Sequence, residues 1–576
     1  MEIDELFKAK PEFLPKKRKI VPVNPLETFK KNKDTYIEEN NRKNDLLAGV
    51  SEDFIDSNIG EEDGRFFGGG LTKTQEDILD FMDENDKNDH VGPEKMDISS
   101  VKKLVLRLER AIAKNQELRI KYSENPEKFV SSEVDLNSEI KALSVLSGYP
   151  ELYPEMVRLG CFNLLISLLS HDNADISVTV LELFDELIDD DIDYDENQIK
   201  LLINTLIDAH FLKILVDNIV RLDESNESDR RGIYFTLSIL ENISSFSSTF
   251  SENVVSSTNI LDWLVQRLQV KEFPISQNKQ YVAEILSVYT SSSSLIRKKF
   301  IDLNGVDILL HVLSPYRKRD PVKDIEEEFV ENIFDCLCSL LEEQEGKEKF
   351  VEAEGIELCL IMLRDGKMSK YRSLKVLDHA LGGSHSTSCC ERLVEAAGLR
   401  CIFSIFMKKP PFKINEYLLG IFSSLLRLLP IDSAPRIRTL AKFVEKDYEK
   451  IFRLMELRNF YKSRVDSARE KIAKELKELN DDEKLERESE MYINLLDSGL
   501  YCLQVIDLIL AWLCVEDLGA KKKVQELLEK EGKDISSIKA VLQEYIDNMD
   551  SDDVQSDKSQ NIEDGKEIAK TLLELL

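Results

Sequence analysis

The 576-residue chain is poor in the residues that enzymes and tight turns use most. It has only six histidines, so a histidine placed to activate a nucleophile is scarce. Gly-x-Ser-x-Gly, His-Glu-x-x-His and Walker-type phosphate-binding motifs are absent. The sequence therefore argues against an enzyme. Its 22 glycines and 15 prolines are also few for this length, which favours a mostly helical chain.

Disulfide, secretory and membrane-spanning patterns are missing as well. The nine cysteines follow no regular spacing, and several occupy apolar helical positions, as small buried side chains do in a reducing compartment. The first five residues lack the charged-then-apolar layout of a signal peptide. The longest apolar stretch, 501–515, contains Gln504 and Asp507 and is too short to cross a bilayer. We expect an intracellular, soluble protein without membrane contact.

One cluster of histidine and cysteine residues could suggest a metal site. Residues 379–390 contain two histidines and two adjacent cysteines, but not the paired two-residue spacings that structural zinc normally requires. Cys336 and Cys338 on one helix point about 200° apart, at roughly 3.6 residues per turn, so they cannot easily share an ion. The sequence predicts no metal and no cofactor.

Positive charge is scarce relative to negative charge. Against 77 Lys and Arg stand 109 Asp and Glu, a net charge of -32. A field this negative disfavours direct nucleic-acid binding and favours basic peptides or basic protein partners. The alternative, that the acidic residues only keep a large helical protein soluble, stays open at this stage.

What the chain does have is a repeat. A helix start, an apolar helix, a polar gap and a second apolar helix recur six times between about 159 and 430. Aligning Cys161, Phe211, Ile260, Gly305, Gly355 and Gly398 gives spacings of 50, 49, 45, 50 and 43 residues. Armadillo and HEAT units have similar periods of roughly 40–47 residues, and they stack because one unit cannot bury its apolar face alone. The repeat predicts an all-α, armadillo/HEAT-like, right-handed superhelical solenoid with helical caps at both ends.

Composition divides the chain into four regions. We predict a disordered tail over 1–70, capping helices over 71–158, about six armadillo-like repeats over 159–430 and a C-terminal helical region over 431–576. From Arg436 to about Asn480 there is no proline or glycine and dense mixed charge, which predicts one long charged helix before the C-terminal cap.

The tail carries a basic cluster, Pro15-Lys16-Lys17-Arg18-Lys19, within a proline-broken segment. Short Lys/Arg-rich runs of this kind are typical of nuclear localisation signals or nucleic-acid patches. We predict a nuclear localisation signal that an import receptor binds. A solvated charge run in a disordered tail is the alternative.

The third helix of each repeat should line the concave groove. Along each third helix, apolar residues recur at every third or fourth position. The residues just before the last of these apolar positions form the column Glu186, Asn242, Val288, Ser339, His379 and Arg427. An asparagine amide both donates and accepts, so Asn242 could clamp a peptide backbone. Asp185 and Asp189 lie beside Glu186 and could receive Lys or Arg side chains. We predict Asp185, Glu186, Asp189, Asn242 and His379 as partner-binding groove residues, although acidic residues here could also be merely solvated.

Several segments resemble the beta-catenin-like protein 1 family, nuclear armadillo-repeat proteins associated with the spliceosome. They span about 135–510 in matching order: Leu168-Leu169-Ser170-His171-Asp172-Asn173, Arg221-Leu222-Asp223-Glu224-Ser225, Leu374-Lys375-Val376-Leu377-Asp378-His379-Ala380, Arg453-Leu454-Met455-Glu456-Leu457 and Leu495-Leu496-Asp497-Ser498-Gly499-Leu500. The family also carries an N-terminal basic targeting cluster. The Lys409-Pro410-Pro411 loop departs from the family, so loop contacts cannot be transferred.

The resemblance implies a non-catalytic subunit linked to the Prp-nineteen complex in pre-mRNA splicing and to its cell-division-cycle-five-like subunit. Family members bind basic, localisation-signal-like segments of splicing factors. A nuclear transport adaptor for basic cargo is the alternative, but it predicts an importin-β-binding tail richer in arginine than this one. A homodimer contact through the C-terminal region also stays open.

Overall fold

The computed structural model describes residues 96–189, 196–246, 248–322, 324–383, 385–475, 488–548 and 558–576. Within these ranges the chain is helical and contains no strand, which confirms the all-α prediction. All of the described residues belong to one unit, residues 71–576. The predicted localisation signal at 15–19 lies outside the described residues.

From residue 96 onward, two helices and three short 3-10 turns precede the repeats. The elements are α1 (Ile98–Lys121), α2 (Val130–Ala142) and the turns Pro126–Lys128, Leu143–Gly148 and Pro150–Leu152. Asp97 caps α1, since its carboxylate accepts the Ser100 N–H at 2.8 Å. Val101, Val105 and Leu108 lie one helical turn apart and are buried against α2 and the first repeat. Their spacing turns one apolar stripe of α1 toward the core.

Six three-helix units follow. Repeats 1 to 3 are α3 (Tyr153–Arg158), α4 (Cys161–Leu168), α5 (Ala174–Ile188); α6 (Glu196–Asp208), α7 (Phe211–Arg221), α8 (Glu227–Phe246); α9 (Ser248–Ser257), α10 (Ile260–Gln269), α11 (Gln277–Ser292). Repeats 4 to 6 are α12 (Ser294–Asp302), α13 (Gly305–Leu313), α14 (Ile325–Leu340); α15 (Gln344–Glu352), α16 (Gly355–Asp365), α17 (Met368–Leu381); α18 (Thr387–Glu395), α19 (Gly398–Met407), α20 (Phe412–Leu428). A further 3-10 turn, Ser314–Arg317, follows α13.

The six aligned positions of the sequence repeat are the first residues of the six second helices. The turn before them is left-handed in five repeats, with φ of 72° at Gly160, 56° at His210, 60° at Asn304, 56° at Glu354 and 59° at Ala397. In repeats 4 and 5 the first helix approaches this turn closely. A Cβ on Gly305 would lie 2.5 Å from the Phe300 ring, and one on Gly355 would lie 2.3 Å from the Phe350 ring. Glycine there lets the two helices pack tightly.

The third helices form one continuous layer. Each packs against the third helix of the repeat before and after it, from α5 to α20. Their apolar ladders, such as Leu181, Phe184 and Leu187, are fully buried in the core. The polar side of the layer, called here the third-helix face, carries the residues that the core does not use.

The C-terminal region continues the stack. Its described helices are α21 (Ala434–Glu475), α22 (Glu488–Asp497), α23 (Leu500–Glu516), α24 (Leu518–Glu529), α25 (Ser536–Asn548) and α26 (Lys558–Leu575). The buried helix α23 packs against α20 and so extends the third-helix layer.

The expectation of one uninterrupted helix from Arg436 was wrong. The backbone of α21 leaves the helical conformation at 445–448, with positive φ at three of these four residues. The break lets Phe443 pack its ring 4.9 Å from that of Phe403 and 5.4 Å from that of Phe422, while Ile451 and Leu454 are buried beyond it. The segment holds no proline or glycine, so local sequence gave no sign of a turn that tertiary packing imposes.

Two arginines fasten the C-terminal region internally. Arg458 Nε lies 2.5 Å from Asp507 Oδ1, and both side chains are fully buried. The guanidinium of Arg436 pairs with Glu516 and lies 5.0 Å from the Trp512 ring. It also bonds the Leu426 carbonyl oxygen at the end of α20, so this charge bridges the last repeat and the C-terminal helices.

No single helix among the described residues is both long and apolar enough to cross a membrane. The pair 490–497 and 500–516, bent by 64°, passes that test together by length and composition only.

Candidate peptide-binding groove

The predicted groove residues lie at or beside the third-helix face, but they form two separate groups. Asp185 and Glu186 lie near the end of α5 in repeat 1, and Asp189 is the residue at which that helix ends. Asn242 is half-buried on α8 in repeat 2. His379 is half-buried on α17 in repeat 5. The structure therefore brings the three acidic residues together and places His379 three repeats beyond Asn242.

Asp185 has the most distinctive environment of the five. Its Oδ1 atom is buried and has no hydrogen-bond partner. Burial raises the pKa of its carboxyl to about 6, and the nearby charges of Asp189, Glu186 and Glu182 raise it further, while a hydrogen bond with Ser238 opposes them. A carboxylate oxygen left without a donor favours a cationic N–H from outside the chain. Glu186 beside it is exposed to solvent.

Acidic and tyrosine side chains extend this surface through repeats 2 and 3. Tyr281 donates its hydroxyl to Glu241 Oε2 at 2.6 Å, and its ring centroid lies 5.3 Å from that of Tyr234. Burial raises the pKa of Glu284, and the charges of Glu241 and Glu328 add to that effect. Acidic side chains and aromatic rings together offer both a countercharge and a cation–π contact for Lys or Arg side chains.

Farther along the face, cations from repeat 5 pair with acids of repeat 4, as Arg231 of repeat 2 does with Glu182 of repeat 1. Arg372 pairs with Glu331, and Lys375 Nζ lies 2.7 Å from Asp335 Oδ1. His379 lies beside these pairs. Burial and then the Lys375 charge lower the pKa of its imidazole, and the charges of Glu342 and Asp335 oppose them. A neutral histidine can donate and accept hydrogen bonds, but it offers no countercharge to a basic ligand.

A second perturbed carboxyl lies next to His379. Burial, together with the Glu416 charge, raises the pKa of Asp378 to about 8. Helix α20 approaches it so closely that a Cβ on Gly420 would lie 2.2 Å from Asp378 Oδ1. Glycine at 420 is therefore what makes room for this carboxyl between α17 and α20.

Sequence analysis missed several of these residues, although a signal for them existed. Glu241 directly precedes the predicted Asn242. Glu284 and Asp335 lie four residues before the column positions 288 and 339, which places them on the same helix face. The tyrosines carried no such sign, because their role depends on the contact between α8 and α11.

The described residues hold no group of three His, Cys, Asp or Glu side chains placed to bind a metal ion. All nine cysteines are free, eight of them are buried, and Cys401 is partly buried. Burial raises the pKa of Cys389 to about 11, so this thiol stays protonated at neutral pH.

Three-helix repeats with left-handed turns, stacked through their third helices, define an armadillo-repeat protein, a class whose extended face binds other proteins. Comparison with known protein families gives the same class. The family described as "Catenin-beta-like, Arm-motif containing nuclear" matches residues 76–543. The chain belongs to this family, which confirms the resemblance seen in the sequence.

Curated relatives are similar along most of their length. The Schizosaccharomyces pombe "Beta-catenin-like protein 1 homolog" is 41% identical over 505 residues, which cover 86% of this chain and 87% of that protein. The Homo sapiens "Beta-catenin-like protein 1" is 38% identical over 469 residues, covering 79% of this chain and 82% of that protein.

Solved structures are more distant. A chain from a study of a phosphorylation switch in the interaction between cadherin and beta-catenin is 12% identical, covers 86% of this chain and 94% of its own length, and has a TM-score of 0.47. A designed armadillo repeat protein in complex with the peptide (KR)4 is 15% identical, covers 46% of this chain and 98% of its own length, and has a TM-score of 0.36.

Proposed function

We propose that this protein is a non-catalytic scaffold of the Prp-nineteen complex in pre-mRNA splicing. It binds basic, localisation-signal-like segments of partner proteins, including the cell-division-cycle-five-like subunit, on the acidic part of its third-helix face. Membership of the beta-catenin-like family supports a protein-binding scaffold.

The observation that carries the proposal is that Asp185 and Glu284, on the third helices of repeats 1 and 3, are grouped with other carboxyls, although Glu182 nearby pairs with Arg231. Asp185 has a buried oxygen without a donor, and Glu284 is held near Glu241 and Glu328 rather than near a cation. Grouping like charges costs stability unless a ligand compensates them. A Lys- or Arg-rich segment in extended conformation would place alternate side chains against successive third helices.

Nuclear location is part of the same proposal. The family to which the chain belongs is described as nuclear, which supports this location. The basic cluster at 15–19 would be the import address, bound by an import receptor, so that a protein of net charge -32 meets its basic partners in the nucleus.

A charge-reversal experiment tests the groove. We expect the Glu186→Lys/Asp189→Lys variant to bind a labelled Pro-Lys-Lys-Arg-Lys peptide at least about tenfold more weakly by fluorescence anisotropy, because two attractive charges become repulsive. Asp208→Lys/Asp217→Lys, on exposed positions of α6 and α7, makes the same change in net charge away from the face. Equal weakening in both variants would mean that only net charge matters, and unchanged affinity in the first would remove the groove from the proposal.

Purification of the tagged protein from nuclear extract separates scaffold from transport adaptor. Recovery of Prp-nineteen-complex subunits at moderate salt is the expected result. Recovery of importin-β and export factors in their place would favour the adaptor.

A further inference from the structure

A cavity of about 440 Å³ lies at the junction of repeats 3 and 4, and none of the predicted groove residues lines it. It opens between the loop that joins α10 to α11 and the helix α13. Its apolar wall consists of Leu268, Ile275, Ile308, Val312 and Phe329. Small-molecule and side-chain sites in proteins have volumes of roughly 300–1,000 Å³ and walls of this kind.

A buried cation lies in the wall of this cavity. Lys279, in the first turn of α11, is 6% exposed. Its ammonium group donates to the Val270 carbonyl oxygen at 2.5 Å and lies 5.6 Å from the centroid of the Phe329 ring. Among the described residues no carboxylate lies within salt-bridge distance of it. Burial lowers the pKa of Lys279, as expected for an ammonium that has lost most of its water.

The two interior carboxylates of the cavity are already occupied by other donors. Glu272 accepts hydrogen bonds from the backbone N–H of Ser276 at 3.0 Å and from its hydroxyl at 2.6 Å. Glu326 accepts the Tyr316 hydroxyl at 2.8 Å and the Val322 N–H at 2.7 Å. Lys279 is thus the interior cation of this cavity that has no carboxylate at salt-bridge distance. The Glu272 charge opposes the effect of burial on the Lys279 pKa, but this carboxylate is already paired with Arg267 at 3.1 Å.

We propose that this cavity binds an organic anion, a carboxylate carried on an aromatic or branched aliphatic group. The carboxylate would pair with Lys279, and the apolar group would fill the space along Ile308, Val312 and Phe329. Such a pair supplies the countercharge that the buried ammonium lacks, in surroundings where a charged hydrogen bond is strong. The site is independent of the acidic groove, and a basic ligand there would not fill it.

A carboxylate on an apolar group could come from two sources, a free organic acid or the carboxyl-terminal residue of a peptide. Beyond the cavity the rim bears Phe273, whose side chain is 74% exposed, and the exposed Val270. A peptide could contact Val270, which does not line the cavity, with the residue that precedes its terminus.

Calorimetry with 3-phenylpropionate and its neutral amide, on the full chain, tests the proposal without any mutation. We expect the acid to bind at least about tenfold more tightly than the amide, since a hydrogen bond to a charged group contributes that much. Lys279→Met should abolish this preference while keeping the apolar stem, and Lys213→Met, on an exposed position of α7, should preserve it. An acid and an amide of equal affinity, or no heat from either at millimolar concentration, would overturn the site.

A second arm identifies the source. An acetylated Ala-Ala-Phe peptide with a free carboxyl end is compared with 3-phenylpropionate, and both with the amidated peptide. A tighter peptide assigns the site to a carboxyl terminus, and a tighter small acid assigns it to a free organic anion. Each result supports the anion site provided that the corresponding amide is weaker.

Discussion

In repeats 1 to 3 the third-helix face has an ion pair between adjoining helices, Arg231 with Glu182, and groups other carboxyls with like charges. From repeat 4 to the C-terminal region, acids such as Asp335 and Asp507 pair with bases of adjoining helices. Asp185 has a buried oxygen without a hydrogen-bond donor, but Asp335 forms an ion pair with Lys375, and Asp507 forms one with Arg458. Both regions contain helices of the same stacked layer. The difference shows that the partner on the next helix decides whether a carboxylate stabilises the fold or is available to a ligand.

The largest effect should come from breaking a pair in the second region. Arg458→Met leaves Asp507 buried without its cation, and we expect the free energy of unfolding in urea to fall by about 3–5 kcal/mol. Arg364→Met removes an exposed arginine whose described pairing is with its chain neighbour Asp365, and should leave the free energy of unfolding nearly unchanged. A loss below about 1 kcal/mol in the first variant would show that the buried pair does not hold the region together.

Burial raises the pKa of the Asp378 carboxyl in the folded protein from the ordinary value of 3.8 to about 8. The folded protein then keeps a proton that the unfolded chain releases, so the free energy of unfolding falls as pH rises from about 4 to 8. Asp378→Asn lacks this contribution. We expect the variant to be more stable than the parent by several kcal/mol at pH 8 and almost equally stable at pH 4, since each unit of difference between the folded and unfolded pKa contributes about 1.4 kcal/mol. The exposed Asp302→Asn is the control, and parallel stability curves for parent and variant would contradict the prediction.

Binding of a basic peptide should depend on pH through Asp185. Because its folded pKa is about 6, the carboxyl is largely protonated at pH 5 and ionised at pH 7. Affinity for a Lys/Arg peptide should therefore rise about tenfold between these values, as the charge that attracts the ligand forms. In Asp185→Asn most of this rise should disappear, whereas Asp217→Asn should behave as the parent. Anisotropy titrations measure this, and an unchanged slope in Asp185→Asn would assign the pH dependence elsewhere.

The smallest effect should come from making the second region resemble the first. Arg372→Met/Lys375→Met frees Glu331 and Asp335 of their cations and lengthens the acidic surface. We expect a long basic peptide to bind two- to fivefold more tightly, by roughly the strength of exposed pairs. Lys349→Met on α15, whose partner Glu352 lies on its own helix, should have no effect. A weaker interaction in the double variant would mean that the repeat 5 cations take part in binding.

The structure shows why sequence reasoning found one part of the site and missed another. Glu186 and Asn242 follow from the period of the repeat, because positions along a helix repeat every 3.6 residues. Tyr281 could not be found in this way, since its bond to Glu241 joins α11 to α8, 40 residues apart in sequence. The cavity beside Lys279 depends likewise on two repeats meeting.

The sequence by itself determined the helices, the starts of the six second helices and the excess of acid, because helix formation and turn chemistry act over a few residues. Only the tertiary structure decided which acids are neutralised, where α21 breaks and that Lys279 faces a cavity. These features depend on side chains about 40 to 50 residues apart that meet only when the repeats stack, since pairing and burial are properties of the interface between helices.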